Sequence, residues 1–243
     1  MSFPIAFIIT IAYFFVILFV VSVILKSFFH VPQEMVRKFQ HIGYAFSIFL
    51  FLELYDPWYQ ALFAIGIFML SIFMGLWLFE KSPLYKKHLV DRMKKGGELK
   101  YSLLQAKGMF AFLIIMFVGV LPHSDDTIVV TAVMSWGVGD ALAALIGKRF
   151  GKRNNVMKGS DPKKTQMGSS AMGISVFLVV GLTLFFHGDI LWWVALITAF
   201  IVAPLSAIME AYAKKGLDTF FLPIFIAFLV YGIIIIFTVS GVL

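Results

Sequence analysis

The side chains best suited to catalysis or ligand binding lie between Trp136 and Ala171. One carboxylate, Asp140, interrupts a long apolar run there, and a basic, glycine-rich loop follows from Gly147 to Gly168. A charged residue inside a membrane is costly and marks a functional site by default. Flexible backbone and positive charge beside it are what a polyanion such as a nucleoside triphosphate needs. The stretch therefore predicts a phosphate-binding site next to a buried acid.

Asp140 is the strongest single candidate for a catalytic or metal-binding group. It lies about 10 Å along the helix axis from Gly147, at ~1.5 Å per residue. Small residues on either side, such as Gly139 and Ala143, let a neighbouring backbone approach closely. An ionised carboxylate near phosphates is a hard oxygen ligand for Mg²⁺. A structural ion pair with a Lys from another helix is the alternative.

The basic loop and its flanks supply the candidate nucleotide-binding residues. A helix that begins near Gly168 would offer free backbone N–H groups to an anion. No GxxxxGK(S/T) pattern occurs, so the loop is not a P-loop. The residues predicted to contact the nucleotide are Gly139, Gly147, Lys148, Gly151, Lys152, Lys163, Lys164, Thr165, Gly168 and Ser169.

A second group of polar side chains opens another predicted helix. Glu34, Arg37 or Lys38, and His41 recur at spacings of three to four residues, so one helical face can carry them. An interfacial ion pair with a polar histidine at the helix start is the alternative reading. Together with Asp140, the side chains of Arg37, Lys38 and His41 are the predicted catalytic residues.

Two further acids bracket the last short basic loop. Glu210 ends one apolar run, and Asp218 begins the next. An N-cap role is the structural alternative for Asp218. With Asp140 these acids form the predicted metal-binding set, and such carboxylates beside lysines suit metal-dependent phosphoryl transfer.

The composition of the chain indicates which kind of secondary structure carries these groups. The chain is 61% hydrophobic and 17% aromatic over 243 residues, which is far above the content of soluble proteins. We predict an all-α, polytopic membrane protein with a single domain over residues 1–243, because its longest polar stretch is too short for a core of its own. Windows of membrane-spanning length predict about eight helices, at roughly 4–25, 41–55, 58–79, 107–121, 127–147, 168–187, 190–209 and 219–240.

The basic residues predict the orientation of these spans. All 20 Lys and Arg fall in four segments, at 26–38, 81–107, 148–164 and 214–215, and these are alternate connections. The positive-inside rule places them in the cytoplasm and both termini outside. Anionic lipid head groups account for the net charge of +7, so no nucleic acid is implied.

Four motifs resemble the dolichol kinase and phytol kinase family of CTP-dependent integral-membrane lipid kinases, distant relatives of the phosphatidate cytidylyltransferases. The pattern E-x-x-R-K-x-x-H runs from Glu34 to His41, and G-D-A-x-A-A-x-I-G-x-x-F-G-K runs from Gly139 to Lys152. K-T-x-x-G-S follows at 164–169, and an acid-loop-Asp-proline run covers 210–223. Two positions depart from the family pattern: Met167 replaces a glutamate, and Thr219 replaces an asparagine.

The resemblance implies transfer of the γ-phosphate of CTP to the hydroxyl of a lipid alcohol. Asp140 would hold Mg²⁺ with Asp218, the 147–169 loop would cradle the triphosphate, and His41 is the candidate general base. Phytol, a polyprenol, dolichol and diacylglycerol are all compatible acceptors, and the oligomeric state is open.

Three other functions stay open on the residues alone. CDP-lipid synthesis shares CTP, but the K-D-x-x-x-x-x-P-G-H-G-G-like signature of cytidylyltransferases is missing. A transporter would use Asp140 as an ion site. An intramembrane aspartyl protease would pair Asp140 with Asp56, yet the charge pattern puts these acids at opposite membrane faces, whereas a dyad needs them about 3 Å apart.

Overall fold

The computed structural model describes residues 1–79, 98–123, 125–151, 164–213 and 217–243, and within these ranges the chain is helical with no strand. Helix α1 (Phe3–Phe15) continues through a π-helical segment (Val16–Val20) into α2 (Val21–Ser27). Helices α3 (Gln33–Leu54) and α4 (Tyr59–Phe79) follow. Helix α5 (Glu98–Ile115) runs into a second π-helical segment (Met116–Val120) and a short 3-10 turn (Leu121–His123). The last four helices are α6 (Thr127–Phe150), α7 (Gln166–Phe186), α8 (Trp192–Tyr212) and α9 (Asp218–Val239).

The all-α prediction is confirmed for the described ranges, and the helices there fit a multi-pass membrane protein. Helices α6 to α9 are each long and apolar enough to cross a membrane, and shorter apolar stretches lie at Phe3–Phe15, Tyr59–Ser71 and Lys107–Val120. The other four of the eight predicted spans are not established by the described residues and stay a prediction. Helix α3 begins directly after Pro32, eight residues before the predicted span, because its charged first turns continue the helix out of the apolar segment.

The centre of the bundle is α6. Its most apolar window is 72% buried, whereas that of α9 is 28% buried. Helix α6 packs against α3, α7 and α9, so those three helices surround the candidate residues. Large apolar side chains such as Phe200 and Phe228 point outward and are 74% and 73% exposed. This inside-out pattern is expected where the outer surface meets lipid rather than water.

Helices α6 and α7 meet at a crossing of small residues. A Cβ atom added to Gly168 would lie 2.9 Å from the carbonyl oxygen of Ala143, and one added to Gly147 would lie 2.8 Å from Oγ1 of Thr165. Small residues permit such close backbone approach in membrane helices. Thr165 caps α7, because its side chain accepts a hydrogen bond from the backbone N–H of Gly168 at 3.1 Å. The crossing therefore fixes the start of α7 against the end of α6.

Replacing Gly168 with Ala is expected to lower stability by about 1–3 kcal/mol, since the added methyl group overpacks the crossing. Gly181→Ala on the same helix is the matched control, because its Cβ would make only an ordinary contact at 3.8 Å with Ala199. The thermal midpoint of each purified variant in detergent measures the effect. Equal midpoints for the two variants would argue against a tight crossing.

Candidate active site

Asp140 forms a buried ion pair with Lys38. The ammonium of Lys38 lies 2.7 Å from Oδ2 of Asp140 and donates a second hydrogen bond, at 3.3 Å, to its backbone carbonyl. Lys38 is 8% exposed. The pair joins α3 to α6. Lys38 is therefore the lysine from another helix that the structural interpretation of Asp140 requires. Within the described part of the chain, Oδ1 of Asp140 accepts no hydrogen bond and so remains able to bind a ligand.

His41 and Trp136 lie beside this pair. Nε2 of His41 is 3.4 Å from Oδ2 of Asp140. The approach lacks hydrogen-bonding geometry, because Nε2 has no hydrogen-bond partner in the described regions. The imidazole packs on the indole of Trp136, with ring centroids 4.3 Å apart. The indole nitrogen is likewise buried without a described partner. Since unpaired buried polar atoms are costly, this corner is suited to a polar ligand.

A second cluster surrounds Lys164. Its ammonium pairs with Oε1 of Glu210 and lies 3.5 Å from Oδ2 of Asp218. Ser169 donates a hydrogen bond of 3.0 Å to Oε2 of Glu210. Oδ1 of Asp218 accepts a hydrogen bond of 3.0 Å from the backbone N–H of Thr219. The cluster therefore ties the start of α7 to the end of α8 and the start of α9.

The two clusters lie within electrostatic reach of each other. Burial alone would lower the pKa of Lys164, but the negative charges of Glu210, Asp218 and Asp140 raise it above its ordinary value of 10.5. Lys164 is therefore cationic at neutral pH, and its charge is felt at Asp140 on the neighbouring helix.

The structure brings together most of the charged residues that the sequence analysis proposed. Lys38, His41 and Asp140 form one cluster, and Lys164, Ser169, Glu210 and Asp218 form the other. Arg37 and Lys148 are exposed on α3 and at the end of α6. Lys152 and Lys163 lie outside the described residues, and the side chain of Glu34 is not described.

The predicted glycines have packing contacts in this structure. Gly139 faces Met172 and Val176 on α7, and Gly147 and Gly168 meet at the α6–α7 crossing. Gly151 ends α6 and donates its backbone N–H to the carbonyl of Gly147 at 2.9 Å. These glycines thus bring the helices that carry the acids close together, and Thr165 acts as the cap of α7.

Asp56 is remote from Asp140. It follows the end of α3, whereas His41, which contacts Asp140, lies 15 residues earlier on that helix, or about 22 Å along the axis. Because the carboxyl groups of an aspartyl-protease dyad share a proton at about 3 Å, this geometry rules out that pair.

Two curated proteins are similar to the chain over most of its length. A phytol kinase of Synechocystis sp. is 29% identical over 202 residues, which are 79% of this chain and 76% of the relative. The dolichol kinase sec59 of Schizosaccharomyces pombe is 26% identical over 212 residues, which are 83% of this chain and 40% of the relative. The chain is a relative of the phytol and dolichol kinases. This confirms the family resemblance and agrees with a phosphotransferase that acts on a lipid alcohol.

The matched region covers only 40% of the length of the dolichol kinase. No protein-family model matches the chain, and no solved structure does. The arrangement of side chains is therefore the main guide to how a kinase of this kind would work.

The family resemblance implies a divalent cation beside a nucleotide. The described residues contain no group of three or more acidic, His or Cys side chains able to hold a metal on their own. Both oxygens of Glu210 are occupied, by Lys164 and Ser169. Oδ1 of Asp140 accepts no hydrogen bond from the described residues, and Oδ2 of Asp218 makes only the long 3.5 Å contact with Lys164, although its Oδ1 accepts the backbone N–H of Thr219. Mg²⁺ commonly binds one or two carboxylates together with substrate phosphates. The two aspartates therefore fit this ion, and Glu210 fits a role in holding Lys164.

Replacing Ser169 with Ala is expected to lower stability by about 1.5–3 kcal/mol, because Glu210 loses a hydrogen bond to its buried charge. Ser170→Ala is the matched control, since Ser170 is the exposed neighbour on the same helix. Thermal unfolding of both variants checks the prediction. Equal stability for the two would show that Ser169 does not support the cluster.

Proposed function

We propose that this protein transfers the γ-phosphoryl group of CTP to the hydroxyl of a lipid alcohol at the cytoplasmic membrane face. The observation that carries the proposal is the pair of buried lysine–carboxylate clusters, Lys38 with Asp140 and Lys164 with Glu210 and Asp218, within a bundle of apolar helices. CTP as the donor rests on the family resemblance, and the cytoplasmic side rests on the distribution of Lys and Arg.

The charges suit a metal-bound triphosphate. Lys38 and Lys164 would turn to phosphate oxygens, and Asp140 and Asp218 would hold Mg²⁺. When bound, the cation would offset charge on the β- and γ-phosphates. Phosphoryl transfer depends mainly on positioning and charge stabilisation, and preorganised groups shielded from water supply both most effectively.

The acceptor hydroxyl would enter beside Asp140. Within the described ranges, Nε2 of His41 and the indole N–H of Trp136 are the side-chain polar groups left unpaired there, and they would orient the hydroxyl group. That oxygen forms a new bond to the γ-phosphorus as the bond to the β–γ bridging oxygen breaks. CDP leaves, and one proton is released to solvent. An apolar tail would keep the acceptor in the bilayer while its hydroxyl reached the interface.

The test is to incubate the purified protein with CTP or ATP and a panel of phytol, polyprenol, dolichol and diacylglycerol, with products identified by mass. A phosphorylated alcohol supports the proposal. A CDP-lipid with pyrophosphate would instead identify a cytidylyltransferase. Absence of any product, together with nucleotide binding that Asp140→Asn leaves unchanged, would contradict the kinase and favour the transporter.

A further inference from the structure

The hydroxyl group of Ser206 on α8 is buried without a hydrogen bond. Ser206 is 0% exposed, and its Oγ atom has no partner among the residues that the structure describes. Serine and threonine side chains inside helices can donate to the carbonyl four residues earlier, as Ser175, Thr183 and Thr198 do at 2.6, 2.7 and 2.8 Å. Ser206 departs from this pattern, although a buried polar atom without a partner costs free energy.

Ser206 lies one helical turn from Glu210, an acid of the second cluster. The two residues are four positions apart, so their side chains project from the same face of α8, one above the other. Side chains lean toward the N-terminus of their helix, which directs Glu210 toward the turn that carries Ser206. Glu210 is 3% exposed, and its two oxygens contact Lys164 and Ser169 near the start of α7. Ser206 is therefore a neighbouring donor that this carboxylate does not use.

The proposed function takes the counter-charge away from Glu210. When Lys164 turns to phosphate oxygens, Oε1 of Glu210 loses its ammonium partner. The buried carboxylate would then keep the hydrogen bond from Ser169 alone, which is costly because its charge is no longer compensated. A hydroxyl group already buried one turn away can supply a second donor by a rotation of side chains, with the helices in place.

We propose that Ser206 is a positioning residue that donates a hydrogen bond to Glu210 when Lys164 is drawn to the nucleotide, and this role rests on the proposed function. Ser206 is unpaired while Lys164 holds Glu210, and it gains a partner when that ion pair opens. Because the new bond forms only in the nucleotide-bound arrangement, it stabilises that arrangement relative to the free protein. Ser206 thus acts through Glu210 and does not touch the nucleotide.

Substitution of Lys164 tests this change of partner without any nucleotide. Lys164→Met removes the counter-charge of Glu210, as nucleotide binding would. In that background, Ser206→Ala is expected to lower the thermal midpoint by a further ~5 °C, because a hydrogen bond to a charged group is lost. In the otherwise unmodified protein the same substitution should leave the midpoint unchanged or slightly higher, since no bond is lost there. An equal shift in the two backgrounds would overturn the proposal.

Ser135→Ala is the matched control. Ser135 on α6 is also 0% exposed and is likewise unpaired within the described ranges, but the residue four positions later is Gly139. Its replacement removes the same kind of buried hydroxyl group with no acid one turn ahead of it. We therefore expect Ser135→Ala to shift the midpoint equally in both backgrounds. If it shows the same dependence on Lys164 as Ser206→Ala, the effect does not belong to the Ser206–Glu210 pair and the proposal fails.

Nucleotide affinity supplies the second measurement. With labelled CTP and Mg²⁺, Ser206→Ala is expected to raise the Kd about tenfold, since the bound state loses a hydrogen bond that the free state lacks. Ser135→Ala should bind CTP as tightly as the unmodified protein. This measurement needs no substitution of Lys164, so it decides alone if Lys164→Met does not fold.

The two measurements separate this role from the proposed function. Unchanged CTP affinity in Ser206→Ala would overturn the positioning role and leave the proposed function intact. Coupling of Ser206 to Lys164 in a protein that binds no nucleotide would support the hydrogen bond from Ser206 to Glu210 and contradict the proposed function.

Discussion

Replacing Asp140 with Asn is expected to lower the rate of phosphoryl transfer about a thousandfold, in line with the loss of a preorganised electrostatic group. The substitution removes one of two carboxylates suited to the cation and leaves Lys38 buried opposite a neutral amide. Labelled CTP binding and product formation should both fall. Asp56→Asn is the control, because this acid is exposed and lies at the other end of α3.

A double substitution separates chemistry from folding in this experiment. Breaking a buried ion pair by removing one partner costs roughly 3–5 kcal/mol, largely because the other charge stays uncompensated. Lys38→Met combined with Asp140→Asn removes both charges, so the thermal midpoint should rise relative to Asp140→Asn alone while the activity stays lost. Activity that returns with the midpoint would mean that Asp140 is structural only.

Replacing Lys164 with Met should abolish activity and lower stability by roughly 3–5 kcal/mol, since Glu210 and Asp218 would face each other without a counter-charge. Unfolding in detergent and the phosphorylation assay measure the two effects. Lys26→Met, at an exposed position on α2, is the control for loss of a lysine. Adding Glu210→Gln to Lys164→Met should recover part of the stability and none of the activity. Full activity in Lys164→Met would exclude a phosphate-binding role.

The ion pairs of Lys164 stabilise the folded protein only up to a limiting pH. The folded-state pKa of Lys164 lies above its ordinary value of 10.5, so the stabilisation is fully present below that pH. It is lost as the pH rises through the raised pKa, because the folded protein then releases the proton that held the cluster together. Lys164 therefore contributes no pH dependence near neutrality.

Charged residues in apolar surroundings were predictable from sequence because their cost in a membrane singles them out. That reasoning found Asp140, whereas helical spacing indicated Lys38, the basic loop indicated Lys164, and the ends of two apolar runs indicated Glu210 and Asp218. The structure joins these residues in two clusters. The sequence could not say which lysine meets which acid, because partners such as Lys38 and Asp140 are 102 positions apart and belong to different helices.

Trp136 and the glycines illustrate what sequence patterns leave open. Trp136 precedes Asp140 by four residues, a spacing that puts both on one helical face. An aromatic residue in an apolar run is, however, usually interpreted as part of the hydrophobic core. Gly147 and Gly168 were predicted at the two ends of a flexible phosphate-binding loop, and the structure places both inside helices at a close crossing. A glycine's role depends on its neighbours in space, which the sequence does not give.

In the proposed function, the pairing of each lysine with a carboxylate would make the binding of metal and nucleotide cooperative. A cation bound to Asp140 alone would lie close to the ammonium of Lys38, and a triphosphate bound alone would draw Lys38 away from the same acid. When both bind together, the metal compensates the carboxylates and the phosphates compensate the lysines, so neither ligand leaves a bare charge in the site. By linkage, each should tighten the binding of the other by the same factor. The resting protein would thereby discriminate against free nucleotide and free metal alike.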